Sequence, residues 1–592
     1  MPEPRATDTV SAVGGPTGAV HAACDRFVAE YAELDPIAAS GLGIAGPADR
    51  LTDYSPKGHE ARAALRARAL RAVLAADPGD AHEAAAQSAF AERMGIELAI
   101  HEAGLYASMV NVIESPVQQL RQVFDLMPTV SDEDWSAFAR RLAAVPQAMA
   151  GLRAGLRQAA DRGRVSALRQ LISTADHCDI WAEGLVSLVR PARVPAALRA
   201  DLDAGAIAAA TAFTGMAGFL RGELAARAPA RDAVGPDAYR LWLRYFTGLR
   251  LAPEDAYAWG WQEFQVVAGE LRRAAGQVRP GFTPAGAAAA LNEDPRQTVR
   301  GTEALLRWAQ ELSDEALRAL HGEHFDIPGP LRTLEHLIAP PGSADGAAYT
   351  GPTEDFSRPG QVWWSFPPDQ ARFPTWRLAT TLYHEGVPGH HLQIGTAVHQ
   401  AGRLNRFQRL MGKVAGYTEG WALYAERLSR ELGFLAGPGQ LLGMLDAQLF
   451  RAARVIVDIG MHLELRIPAG AGFHDGERWT ARLGREFLAT LTLIAPDRAD
   501  GEIERYLGWP GQAPSYKLGE RMWLQAAEAA RASGGAGFKP AAFHSAALAA
   551  GPMGLDLLRD RFAAAPGPAP NRAARPEPGN GSRSGVSERP DG

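Results

Sequence analysis

Four side chains able to bind a metal or move a proton fall within eight residues of this chain. They are His384, Glu385, His390 and His391, in the run Y-H-E-G-V-P-G-H-H-L-Q from Tyr383 to Gln393. A His-Glu pair with a second histidine four residues after the first puts two imidazoles on one helical face. The glutamate is then left to act as a base toward water activated by zinc. Here the fourth residue after His384 is Pro388. The spacing is broken, and the chemistry depends on what the break does.

Zinc–nitrogen bonds are about 2.0–2.1 Å, so both imidazoles must converge on one point. On a regular helix His390 would lie about 240° round from His384, and His391 would share its face but sit about 10.5 Å along the axis. Neither position serves. Pro388 has no amide hydrogen for the His384 carbonyl and crowds it, while Gly386 and Gly389 relax the backbone. The segment is therefore expected to kink or bulge. A distortion that absorbs two residues brings His390 to the place of the second ligand; one that absorbs three brings His391 there. His390 is favoured, with His391 the alternative. A proline-kinked helix whose histidines only cap and hydrogen-bond is the metal-free reading. The two histidines beyond the break and an acid downstream weigh against it.

That acid is Glu419, in Y-T-E-G-W-A-L-Y-A-E-R. Two histidines, one glutamate and an open position for water make a standard catalytic zinc set. Residues 402–413 leave room for a turn between the two helices. Glu426 lies seven residues after Glu419, so it could orient a histidine or simply face solvent. His321 and His324, in H-G-E-H, form a second histidine pair without a supporting acid.

The elements that must position these residues read as helices. Phe27, Val28, Tyr31 and Leu34 make a helical stripe, and segments near 60–76, 82–105, 134–160, 197–227 and 253–277 are rich in Ala, Leu, Arg and Glu. Alternating strand patterns are scarce. Residues 1–17 and 565–592 are rich in Pro, Gly, Ser and charge and read as disordered tails. Between them, 18–564 reads as a single helical domain, with 18–340 mainly scaffold and 341–564 the metal-site half. The Pro/Gly-rich stretch from Pro340 to Gly360 reads as a long functional loop.

Composition narrows the classes. At 46% hydrophobic and 22% charged residues the chain can bury large cores, and its net charge of −6 shows no basic excess for nucleic acid. The N-terminus M-P-E-P-R-A-T-D carries no secretory pattern, and no run of about 18 apolar residues suggests a membrane span. The two cysteines, Cys24 and Cys178, form no paired motif. Together these fit a cytoplasmic protein with no membrane partner and no thiolate zinc site. Oligomeric state is not legible.

H-E-G-V-P-G-H-H-L-Q with E-G-W-A-L-Y-A-E is similar to the signature of the bacterial domain-of-unknown-function 885 family, regarded as divergent relatives of helical, gluzincin-like zincin peptidases. The runs D-R-L-T-D-Y-S at 49–55, S-R-P-G at 357–360, R-A-A-R-V-I-V-D-I-G-M-H at 451–462 and G-Q-A-P-S-Y-K-L-G at 511–519 agree. The resemblance covers most of residues 20–560. It implies a mainly α, multi-helix fold with a deep cleft and few or no strands, and zinc-dependent hydrolysis of peptide or amide bonds. After His462 the chain reads L-E-L-R-I-P where the family tends to continue Gly-Trp, which leaves the pocket wall there open.

On this reading one zinc ion is held by His384, His390 and Glu419, and Glu385 is the general base. The likeness to helical zinc peptidases implies Tyr516 as the oxyanion donor, with Lys517 expected to face water. His391, His462 and Arg454 are candidates for binding a substrate carbonyl or carboxylate. For Arg454, a salt bridge to Asp458 at i+4 is the simpler reading. The expected substrate is a short peptide or peptide-like molecule. A non-peptide amide or ester hydrolase, and a helical binding protein without turnover, are the alternatives.

Overall fold

Residues that satisfy free amides mark where the helices begin. α1 (Ala19–Leu34) runs into Asp35, whose carboxylate accepts from the Ala38 amide and starts α2 (Pro36–Leu42). Ser55 and Asp80 do the same for α3 (Pro56–Ala75) and α4 (Ala81–Glu102). After α5 (Pro116–Gln122), Ser131 and Asp134 form a reciprocal capping box on α6 (Asp132–Asp161). α7 (Leu168–Val189) and α8 (Ala196–Phe219) follow. The computed structural model describes residues 15, 17–340 and 346–563. It is 68% helical with a few short strands, so the protein is mainly α. The expected tails lie outside the described residues, apart from Gly15 and Thr17.

Two cores form in this half. α1, α3 and α4 bury Phe27, Val28, Leu65 and Phe90 together with Phe407 from the C-terminal half. α6, α7 and α8 close over Leu142, Val145, Leu171 and Phe213. The stretch Ala196–Arg227 is long and apolar enough to cross a bilayer by length and composition, which corrects the sequence reading. Its buried stripe of Leu202, Ala206, Ala209 and Phe213 packs on α6 and α7, which accounts for that composition.

The third and largest core belongs to the rest of the chain. α9 (Pro236–Thr247), α10 (Pro253–Val278), α11 (Pro284–Glu293) and α12 (Thr302–Leu320) lead to a small sheet. β1 (Thr298–Arg300) precedes α12, and β2 (Leu334–Ile338), β3 (Gly346–Thr350), β4 (Gly360–Ser365) and β5 (Arg372–Pro374) follow it. β4 pairs parallel with β2 and antiparallel with β3, while β5 pairs antiparallel with β1. The expected loop from Pro340 to Gly360 therefore contains a strand, whose five residues are too few to show alternation between flanking glycines and prolines. Residues 341–345 lie outside the described residues.

Helices then succeed one another: α13 (Thr375–Glu385), α14 (His390–His399), α15 (Ala415–Glu431), α16 (Pro438–Leu463), α17 (Ala481–Leu491), α18 (Pro496–Gly508), α19 (Ser515–Gly534), α20 (Pro540–Ala549) and α21 (Leu555–Ala563). α16 is buried almost all round from Leu442 to His462 and packs on α10 and α13. It is the central helix against which the site is assembled.

Several polar groups are sealed into these cores. His336 meets Ser313 and Trp364, His462 meets the Tyr506 carbonyl, and His544 meets Tyr424 and the His324 carbonyl. Burial pulls each of the three imidazoles down to about 4 from an ordinary 6.5. Unfolding lets them take up a proton that the fold refuses. Their contribution is therefore complete above about pH 6.5 and is lost as pH falls toward 4. Asp458 runs the other way, because burial pushes its carboxyl up to about 7. It offsets about one histidine, each being worth up to about 3 kcal/mol. The melting temperature should fall between pH 6.5 and 4, and fall less in His544→Gln; thermal unfolding across that range checks it, and parallel profiles would sink the assignment.

Candidate metal centre

The segment around Pro388 is a break between two helices rather than one kinked helix. α13 ends at Glu385, α14 begins at His390, and four residues join them across a cis Val387–Pro388 peptide. Space demands the glycines. A Cβ on Gly389 would stand 1.9 Å from the His384 carbonyl oxygen and 2.4 Å from that of Tyr383. One on Gly386 would stand 2.7 Å from the Leu382 carbonyl oxygen. The fully buried Trp421 of α15 secures the turn: its indole N–H donates to the Pro388 carbonyl at 2.9 Å and to that of Gly389 at 3.1 Å. The break brings the His390 ring to 4.8 Å from the His384 ring, nearly perpendicular to it.

Glu419 of α15 completes a cluster. Its Oε2 lies 3.4 Å from His384 Nε2 and 3.6 Å from His390 Nε2. Donor atoms of the three residues all fall within 4.8 Å of one another. Ligands about 2.0–2.1 Å from a tetrahedral ion sit about 3.3–3.4 Å apart, so these separations suit zinc. Glu419 Oε2 is also buried with no hydrogen-bond partner among the described residues. An orphaned anionic oxygen facing two imidazole nitrogens is what a cation between them would satisfy. The residues present fit the metal.

A second carboxylate orients the first histidine. Fully buried Glu426 takes a hydrogen bond from His384 Nδ1 at 2.8 Å, which turns Nε2 toward Glu419. Its other oxygen accepts from Gln448 of α16 at 3.1 Å, and Arg451 lies 3.4 Å away. Burial opposes the charge, yet Arg451 and the bond from His384 hold the Glu426 carboxyl below its usual range. The same happens at Glu419, where the two histidines outweigh burial. Burial pulls the His384 imidazole down, but Glu419 and Glu426 overcome it and hold it at about 9. Gln448 in turn accepts from Lys517 at 2.5 Å, and Lys517 meets Glu263 at 2.9 Å and Glu520. Lys517 is wholly buried in this network and does not face water.

Glu385, next to His384, is buried. Burial pushes its carboxyl up while His390 and His384 pull it back. Tyr516 opens α19 and is close enough to Glu419 for that carboxylate, after burial, to push its phenol up. Its hydroxyl makes no hydrogen bond to a described residue. Glycine sets this proximity. α15 and α19 touch backbone to backbone: a Cβ on Gly420 would stand 2.3 Å from the Gly519 carbonyl carbon, and one on Gly519 2.0 Å from the Gly416 carbonyl oxygen.

Residues 36–562 match the family described as "Bacterial protein of unknown function (DUF885)". The chain belongs to that family. Two solved structures share the fold of this DUF885 chain. One is described as "the putative lipoprotein from Colwellia psychrerythraea", with a TM-score of 0.78 and 22% identity over 92% of this chain and 98% of that one. The other, "a putative lipoprotein of unknown function from Shewanella oneidensis", gives 0.72 and 14% over 92% and 100%. No curated protein matches the chain.

The remaining candidates of this DUF885 chain are engaged with other groups. His391 is fully buried, with Nε2 on the Leu331 carbonyl at 2.9 Å and Nδ1 on the Tyr349 hydroxyl at 3.0 Å. His462 is likewise buried, held by the Tyr506 carbonyl at 2.9 Å and the Val234 amide at 3.4 Å. Neither has a ring nitrogen left for a ligand. Arg454 pairs with Glu502 at 3.3 Å rather than with Asp458, which takes bonds from Tyr239 and Gly511 instead. His321 accepts from the Ile327 amide and joins no metal cluster among the described residues. Sequence reasoning missed Gln448 and Arg451. Both lie in α16, and no spacing relation tied them to Glu426.

Proposed function

We propose that this protein is a zinc-dependent hydrolase that cleaves peptide or peptide-like amide bonds with one ion per chain. The observation that carries the reading is the convergence of His384, His390 and an unpartnered Glu419 oxygen beside a buried glutamate, Glu385. These three residues would hold zinc and leave a fourth position open. Bound there, zinc would acidify a water and polarise a carbonyl.

The chain's own groups supply the rest. Glu385 receives the proton of the attacking water and delivers it to the leaving amine. The Tyr516 hydroxyl, without a hydrogen bond to any described residue, stabilises the oxyanion that develops on the scissile carbonyl. Glu426 keeps the His384 proton on Nδ1 and so keeps Nε2 available. Burial of both imidazoles restricts water at the reacting atoms.

Purified protein should carry, or take up, one zinc per chain and hydrolyse members of a panel of blocked and free short peptides. Chelation should abolish turnover and added zinc restore it. Protein that takes up no zinc would favour a binding module on the same scaffold. Zinc-loaded protein that cleaves amide or ester probes but no peptide would shift the reading to a non-peptide substrate.

A further inference from the structure

Three arginines gather beside Tyr516 and Phe450. Arg454, only 7% exposed, lies 4.8 Å from the centre of the Tyr516 ring and 4.5 Å from that of Phe450. Arg451, one turn earlier on α16, lies 6.0 Å from the Tyr516 ring. Arg498 of α18 stands 5.7 Å from the Phe450 ring. The two aromatic rings thus string three guanidiniums along one wall.

Their partners are already committed. Glu502, 3.3 Å from Arg454, is held more closely by Arg505 at 2.9 Å. Among the described residues Arg451 pairs only with Glu426, which belongs to His384, and its buried Nε has no hydrogen-bond partner. Asp446 is taken by Arg377 at 3.0 Å. Arg498 is exposed, and no hydrogen bond or ion pair joins it to a described residue. Arg451, Arg454 and Arg498 thus share acids that other groups already hold, and among the described residues Arg451 Nε and the Arg498 side chain are left to take a bound anion.

The wall continues into the metal centre. Arg451 touches the carboxylate that orients His384, and its charge acts on Glu385. Glu419 is the most exposed of the three donors, its side chain 20% exposed against 5% for His384 and 8% for His390. An extended peptide covers about 3.3–3.6 Å per residue, so a wall one aromatic ring away is reached one or two residues past the scissile bond. Planar guanidiniums match a carboxylate through paired hydrogen bonds.

We infer that Arg451, Arg454 and Arg498 form a subsite for the free terminal carboxylate of a short peptide, placed one or two residues beyond the bond cleaved. This rests on the hydrolase reading for the bond but not for the binding. It makes the substrates short acidic-ended peptides rather than internal segments of long chains.

Calorimetry tests it with zinc-loaded Glu385→Gln protein, which leaves the probe intact, and two probes: acetyl-trialanine and its C-terminal amide. The acid should bind about ten- to a hundredfold more tightly than the amide, the worth of charge-assisted hydrogen bonds. Arg498→Met, at an exposed side chain without an ion pair, should remove about tenfold of that preference and leave the amide unchanged. Arg454→Met should remove more, with Arg505 still holding Glu502. Equal binding of acid and amide, no binding of either, a preference untouched by both substitutions, or tighter binding of inorganic phosphate than of the acid peptide would each overturn the inference. Turnover by the wild type is a separate readout. An acid preference without cleavage of either probe would refute the hydrolase and leave the subsite standing.

Discussion

Glu385→Gln should keep one zinc per chain and lower peptide hydrolysis by about a hundred- to ten-thousandfold, the usual worth of a general base. The substitution is nearly isosteric and touches none of the three donors. It removes only the ability to hold a transferred proton. Burial raises the Glu385 carboxyl above its ordinary value, which favours its taking up a proton, while the histidines pull it back and keep it ionisable. Metal analysis and initial rates on the same preparation separate the two effects. A variant that hydrolyses as fast as the wild type would remove Glu385 from the chemistry; one that loses zinc would make it a structural support of the site.

Gly389→Ala should be the most damaging single methyl in the chain's C-terminal half. The added carbon meets two backbone carbonyl oxygens, of His384 and Tyr383, at 1.9 and 2.4 Å. Neither can swing away like a side chain, so the turn must open and carry His390 from His384. Overpacking in a rigid core costs about 1–3 kcal/mol, and backbone neighbours put this case at the upper end or above. Zinc occupancy should drop well below one per chain even in folded protein. The Ala variant, checked by circular dichroism and metal content, should melt earlier; a variant that matches the wild type in both would show that the break tolerates a Cβ.

Residue types carried much of the site into view before any coordinates. Histidines beyond Pro388 and the acid at Glu419 are visible as a set because metal ligands are few and chemically distinctive. What spacing could not decide was the form of the break, since a severed helix and a bulged one both move His390. The geometry brings His390, not His391, to the cluster. His391 and His462 look like functional histidines only while their neighbours are unseen; both spend their nitrogens on backbone groups from distant elements. Lys517 was illegible, and Glu426 stayed open between a histidine and solvent, for the converse reason. Each looks solvated on its own helix and is sealed by Gln448 of another. The long helices were readable because their periods repeat over many residues, whereas β3 has five residues and no room to repeat.

The glycines at 416, 420 and 519 carry a consequence for how this site can drift or be engineered. Glu419 sits one residue before Gly420, and Tyr516 three before Gly519, so the backbone contact of α15 with α19 works as a ruler between metal ligand and hydroxyl. Helices kept apart by ordinary side chains lie about 8–10 Å from axis to axis, and glycines allow a closer approach. A methyl group on Gly420 or Gly519 would lengthen the ruler without altering a charge or a hydrogen bond. A displacement of about 1 Å can cost a hundredfold in rate. Reactivity here is thus exposed to side-chain volume at positions that carry no chemistry, and a comparison of ligands alone would miss the members of this family in which the distance has changed.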